Sequence, residues 1–177
     1  MKRVLLLSLL ILTGVVLSKK DEPELRLPPE PLAEEMPSEF YEFFFLSPIL
    51  DSRPDIWPVV GIITSDFGWR RVRGRREFHA GVDIGAPYGS RVVATAPGYV
   101  LFSGWVRGYG NTVIIYHGYG YVTLYAHLSS RAVKRGEKVV RNRVIGYVGS
   151  SGKTTGPHLH YEVIKYGIRQ NPIAYLP

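Results

Sequence analysis

Histidine is the residue type best equipped for chemistry in this chain, and its five copies, His79, His117, His127, His158 and His160, all lie between positions 79 and 160. Cysteine is absent, which excludes disulfides, thiolate nucleophiles and thiolate metal sites. In His158-Leu159-His160 the imidazoles are spaced to leave one face of a strand while Leu159 enters the other. Such a pair serves either as two metal ligands or as one ligand beside an acid–base group. Asp83 follows His79 by four residues, and Gly81 with the later Gly85-Ala86-Pro87 places this spacing on a turn or strand rather than a helix. Alone, that spacing is more often structural than metal-binding. Together, two neutral nitrogens and one carboxylate with a fourth position open make up the donor set of a catalytic zinc site. Zinc lowers the pKa of a water molecule to about 7. Hydrolysis further needs a base for the water proton and a donor for the developing oxyanion, tasks for the histidines left over.

His127 ends the run Tyr121–Leu128, a position from which a side chain reaches a cleft. His117 falls at a hairpin turn and reads as a surface or turn residue. Glu162 shares a strand face with His160 and is placed to hold that imidazole in one tautomer. There is no His-Glu-x-x-His segment. The glycine-rich stretch Gly149–Pro157 lacks the phosphate-loop spacing and no helix follows it, so a nucleotide site is excluded.

The elements that must position these residues are short, β-branched and aromatic. Segments 91–95, 99–102, 112–116, 121–125, 144–148 and 159–164 read as strands, punctuated by glycines. Segments 112–116 and 121–125 flank His117-Gly118-Tyr119-Gly120 and predict a hairpin. No segment shows a capped helical repeat. The pattern predicts an all-β, antiparallel domain over residues 58–177, without internal repeats.

Upstream the composition changes. Met1-Lys2-Arg3 precedes an apolar run of 14 residues, Val4–Leu17. That is shorter than the roughly 20 residues of a comfortable membrane span. Residues 1–18 therefore read as an export signal or membrane anchor, directing the chain to the periplasm or cell envelope. Residues 19–57 read as an irregular proline- and glutamate-rich arm, interrupted by an apolar cluster at 40–46 that is expected to pack on something, with covering the active site as one reading. Residues 1–50 carry 5 Lys/Arg against 8 Asp/Glu, or −3, and residues 51–177 carry 17 against 7, or +10, summing to the chain's +7. So basic a domain favours an anionic partner. For an exported chain the charge suits an anionic cell-wall polymer or a membrane surface without choosing between them; the partners expected are cell-wall polymers, with no nucleic acid, and with a membrane only through the N-terminal segment if it is uncleaved.

Three segments, His79-Ala80-Gly81-Val82-Asp83, Leu124-Tyr125-Ala126-His127-Leu128 and Thr155-Gly156-Pro157-His158-Leu159-His160-Tyr161-Glu162, occur in the order found in the lysostaphin-type, or LytM-domain, metallopeptidases. The resemblance runs from about Ile63 to Leu176. It implies a compact antiparallel barrel-sandwich fold with the metal site in a groove. It implies one zinc ion on His79, Asp83 and His160, with His127 and His158 as the unliganded catalytic pair. The activity implied is endopeptidase cleavage of bacterial peptidoglycan peptides. Two other readings are a non-enzymatic relative that activates another wall hydrolase, and a sugar-transport phosphocarrier of similar fold. The sequence departs from the pattern at Arg141-Asn142-Arg143, where a glycine turn is usual.

Overall fold

The computed structural model describes residues 51–72 and 74–177. The expected leader at 1–18, the arm up to residue 50 and the apolar cluster at 40–46 lie outside the described residues. Twelve strands follow one another: β1 (Ile62–Ser65), β2 (Gly68–Val72), β3 (Arg75–His79), β4 (Val82–Gly85), β5 (Arg91–Val93), β6 (Gly98–Val106), β7 (Gly110–Gly118), β8 (Tyr121–Arg131), β9 (Lys138–Val139), β10 (Val144–Val148), β11 (His158–Lys165) and β12 (Ile168–Gln170). The described residues contain no α-helix, and none of their helices is long and apolar enough to cross a membrane.

The main sheet runs β1-β4-β11-β8-β7-β6-β9. On its flanks β12 pairs with β11, and β10 pairs with both β8 and β5; β2 and β3 form a separate hairpin. Every pairing is antiparallel, in keeping with the all-β expectation. All six expected strands are present, several of them longer than their apolar cores. β8 continues to Arg131 and uses its extra length to pair with β10.

The sheet has two unequal faces. Val82, Ile84, Val113, Ile115, Tyr125, Leu159, Tyr161 and Val163 point into a large core that also takes Val92, Val100, Val148 and the flanking Trp57 and Leu176. Ile114, Val122, Leu124, Ala126, Ile164 and Tyr109 form a smaller cluster on the other face. Alternation along each strand deals its residues between the two. Ahead of β1, Arg141 pairs with Asp51 and Asp55, and Trp57 donates to the Pro177 carbonyl, tying residues 51–57 to the body of the domain.

The β7–β8 hairpin turns on Tyr119 and Gly120 alone, both with positive φ. That is the conformation whose twist suits a two-residue hairpin. The tight turn corrects the reading of His117 as a surface or turn residue. His117 belongs to β7 and is fully buried. Its Nδ1–H donates to the Pro97 carbonyl, and its Nε2 pairs with the Thr123 hydroxyl. Burial lowers its pKa to about 4, against the pull of the Pro97 and Ala96 carbonyls. At Arg141-Asn142-Arg143, Asn142 takes the left-handed conformation (φ 66) in place of the more usual glycine, as asparagine does more readily than most residues.

Candidate metal centre

β4 and β11 lie side by side with Asp83 opposite His160 and Gly85 opposite His158. Because Val82, Ile84, Leu159 and Tyr161 go into the large core, Asp83, His158 and His160 must emerge on the other face. His79 arrives from the end of β3 through a connection that crosses very close to β11. A Cβ at Gly81 would stand 2.2 Å from the Tyr161 carbonyl oxygen, so only glycine permits that approach.

His127 reaches the same face by a different device. Strict alternation from Tyr125 would send residue 127 into the large core. Instead the β7–β8 register shifts between Asn111–Leu128 and Val113–Tyr125, and His127 sits in the left-handed region with φ 61. Such a bulge re-aims a side chain. Leu128 then resumes packing in the large core, and the His127 ring lies 4.8 Å from that of His158. The bulge is held from both sides. The His127 amide donates to the Tyr109 carbonyl. The Asn111 side-chain amide donates to the Leu128 and Ser129 carbonyls at 3.1 and 3.3 Å. The Ser151 hydroxyl donates to the Leu128 carbonyl and accepts from the backbone N–H of Asn111.

The ligand atoms converge. His160 Nδ1 lies 2.9 Å from Asp83 Oδ1, His79 Nε2 lies 3.1 Å from the same oxygen, and the two nitrogens are 3.1 Å apart. The outer hydrogen bonds fix which ring nitrogens carry protons. His79 Nδ1–H donates to the Asp66 carbonyl and His160 Nε2–H to Glu162, so the other nitrogen of each ring is the one turned to Asp83 Oδ1. Three electron-rich atoms in so small a triangle require a positive charge among them. Donors around a tetrahedral zinc ion with bonds of about 2.0–2.1 Å stand roughly 3.3 Å apart, so the set fits such an ion with little adjustment. Arg70 lies 3.6 Å from the second Asp83 oxygen, leaving Oδ1 for the cluster.

His127 and His158 complete the ring of imidazoles and are oriented in the same way. His127 Nδ1–H donates to the Ser151 carbonyl and His158 Nδ1–H to the Gly156 carbonyl, both at 2.8 Å, so each keeps its Nε2 lone pair. His158 Nε2 lies 3.7 Å from Asp83 Oδ1. Burial lowers the His127 pKa to about 4, outweighing the Ser151 carbonyl, and the neighbouring His160 and His158 push the same way. His127 is therefore a neutral acceptor at physiological pH.

Behind His160 lies a fully buried carboxylate, Glu162. It accepts from His160 at 3.0 Å, from the Tyr109 hydroxyl at 2.7 Å and from Arg169 at 3.2 Å. Burial disfavours its charge, but His160, Arg169 and Tyr109 overcome that and hold it ionised. Burial likewise opposes a charged His160, yet Asp83 and Glu162 raise its pKa to about 9. Asp83, against its own burial, is held well below the usual carboxylate range by His160 and His79. The centre is thus built to hold positive charge.

The structure brings all five predicted site residues, His79, Asp83, His127, His158 and His160, onto one face. His79, Asp83 and His160 form the donor cluster; His127 and His158 flank it. The sequence reading missed Tyr109, Asn111, Ser151, Arg70 and Arg169. Tyr109, Asn111 and Ser151 act on partners 17 to 53 residues away, and Arg70 and Arg169 reach Glu77 and Glu162 across hairpins, so none carries a motif of its own.

The profile of peptidase family M23 matches residues 77–172. The DD-carboxypeptidase/endopeptidase Mpg of Neisseria meningitidis is 46% identical over 114 residues, covering 63% of this chain and 26% of that protein. The murein hydrolase activator NlpD of Salmonella typhimurium is 36% identical over 122 residues, covering 68% of this chain and 31% of its own length. The crystal structure of a zinc containing peptidase from Vibrio cholerae superposes with a TM-score of 0.64 at 37% identity, over 68% of this chain and 40% of that one. The chain spans about a quarter to a third of the length of the curated relatives it matches.

Proposed function

The chain belongs to peptidase family M23, and from that premise we propose that it is an exported zinc-dependent endopeptidase cutting peptide bonds of bacterial peptidoglycan in the cell envelope. The observation that carries this reading is the convergence of the His79, Asp83 and His160 donors at 2.9–3.1 Å beside two imidazoles that hold no place in the cluster. Zinc held by these three residues would polarise the scissile carbonyl and lower the pKa of a water molecule to about 7.

The chain's own groups supply the proton handling. His127, kept neutral by burial, and His158 both have Nδ1 bound outward and Nε2 free to face a substrate, so together they suit the two hydrogens of an attacking water. The imidazole that takes a proton becomes an N–H donor on the same atom, as the oxyanion and then the leaving amine require. Their outer bonds to Ser151 and Gly156 prevent the rings from turning during the exchange. Glu162 holds the His160 Nε2–H and so turns Nδ1 toward Asp83 Oδ1, where it would serve as the zinc ligand.

The test is release of dye-labelled fragments from purified sacculi by the purified chain, together with its zinc content. His160→Ala should lose both. Hydrolysis retained by that variant would overturn the reading.

The likeness to an activator favours a second reading, in which the chain stimulates another wall hydrolase without cutting. The complete set of five residues argues for the enzyme. If sacculi are untouched by the zinc-loaded chain alone but are cut faster by an added wall amidase in its presence, the activator reading replaces the first. Family membership leaves no ground for the phosphocarrier reading.

A further inference from the structure

The β2–β3 hairpin differs in chemistry from the rest of the domain. Residues 68–79 hold Arg70, Arg71, Arg73, Arg75 and Arg76 against one acid, Glu77, so this segment supplies +4 of the +10 carried by residues 51–177. Arg70 is accounted for by Glu77 at 2.8 Å and Asp83 at 3.6 Å. Among the described residues no carboxylate pairs with Arg71, Arg75 or Arg76. Arg71 stands directly opposite Arg76 in the ladder, and like charges in that relation are destabilising.

The next rung on the same face is Trp69 opposite Phe78. Trp69 is 55% exposed, with the Arg76 guanidinium 4.4 Å over its ring and the edge of Phe78 at 5.3 Å. Alternation turns this face away from the one bearing Arg70, Glu77 and His79, so it is separate from the metal centre.

A repulsive rung beside an exposed tryptophan is unfavourable in water alone. Both features become favourable against a layer that is anionic at its surface and partly apolar beneath. We propose that this hairpin face is a docking element for an anionic phospholipid bilayer. Arg71 and Arg76 engage headgroup phosphates, which the planar guanidinium fork matches in two-bond geometry. Trp69 lies at headgroup depth, where its apolar ring and polar N–H are both satisfied. A soluble polyanion satisfies the arginines but leaves Trp69 in water, which is why the bilayer is the better match.

The experiment measures sedimentation of the intact chain with phosphatidylcholine vesicles, with and without phosphatidylglycerol. The run Val4–Leu17 is present in every variant, so the quantity read is the ratio of partitioning between the two vesicle types. Each basic residue near an anionic surface contributes about a fivefold gain in partitioning. Arg71→Gln should therefore lower the ratio about fivefold, and Arg71→Glu, a change of two charges, roughly 30-fold. Arg71→Glu also turns the repulsive rung into an attractive one, so its melting temperature should equal or exceed that of the parent. A functional surface gives that combination, whereas a merely structural arginine gives a loss of stability. Trp69→Ala should weaken vesicle binding and leave capture by soluble polyphosphate unchanged. An unchanged vesicle ratio in Arg71→Glu would overturn the proposal. Loss of polyphosphate capture with that ratio intact would reassign the surface to a soluble polymer. Neither measurement involves hydrolysis, so failure here leaves the peptidase reading standing.

Discussion

Replacing Asn111 by alanine should slow hydrolysis while leaving zinc in place. Asn111 touches none of the five site residues through its side chain; its amide donates to the Leu128 and Ser129 carbonyls, just past the bulge at His127. A neutral hydrogen bond contributes about 0.5–1.5 kcal/mol net, so the two together are worth about 1–3 kcal/mol. Holding a non-glycine residue such as His127 in the left-handed region costs about 1–3 kcal/mol. The two magnitudes match, so the alanine variant removes stabilisation comparable to the cost of the bulge and leaves it to the Tyr109 and Ser151 bonds. A displacement of order 1 Å in a positioned catalytic group lowers rate on the order of 100-fold. We therefore expect kcat on labelled sacculi or a defined stem peptide to fall by a factor of roughly 10–100. Chelator-competition affinity for zinc should stay near that of the parent, because His79, Asp83 and His160 are held by other partners. Asn111→Asp sharpens the test. It keeps the shape but sets a carboxylate against two carbonyl oxygens, so it should be slower than alanine at neutral pH and recover in part on acidification. An aspartate variant as fast as alanine, or an alanine variant that loses zinc, would refute the reasoning.

Glu162→Gln removes the anionic acceptor behind His160, so zinc affinity should fall roughly 10–100-fold by the same chelator competition. Gly81→Ala should lose zinc and stability together, since its methyl would stand 2.2 Å from the Tyr161 oxygen; a zinc-replete variant would show that the crossing can widen. His117 gives a pH prediction away from the metal. Its folded pKa of about 4 lies below the unfolded value of 6.5, so the unfolded state binds the extra proton and stability is lost as pH falls from about 6.5 to 4. That single group contributes on the order of 3 kcal/mol to the loss. In urea titrations of the zinc-free chain, His117→Asn should be less stable at neutral pH but show a flatter decline over this window.

What the sequence made legible was whatever rests on alternation. The His158–Leu159–His160 triplet assigned its own faces, and the apolar runs at 112–116, 121–125 and 159–164 marked the centre of the sheet. β1 to β4 were not legible, although they carry Asp83 and His79. In β1 to β3, Ile62 and Trp69 are exposed and residues 70–76 are mostly arginine, so no buried face prints a pattern on them; β4 does alternate, with Val82 and Ile84 buried, but over four residues only. They are strands because β4 pairs with β11 and because the β2–β3 rungs close around one Arg70–Glu77 pair. His117 failed for the opposite reason. Its neighbours Gly118 and Gly120 spoke for a turn, and only the two-residue hairpin draws it back into the strand. Segment resemblance identified His127, but simple alternation would have buried it.

The orientation of the four site histidines explains why so much of the centre escapes a reading of side chains. His79, His127 and His158 are each fixed by a backbone carbonyl, of Asp66, Ser151 and Gly156, and only His160 by a side chain. Carbonyl acceptors are supplied by any residue type, so the sequence carries no mark of them; what it must encode is the path of the backbone. That requirement falls on Gly81, which lets the His79 segment cross β11, and on Asn111 and Ser151, which brace the bulge. Substitutions that spare the backbone should leave three of the four tautomers intact. Those that shift it should mis-aim an imidazole without touching one. The mutational sensitivity of this centre is thus expected to lie as much in its glycines and its amide–carbonyl braces as in the histidines themselves.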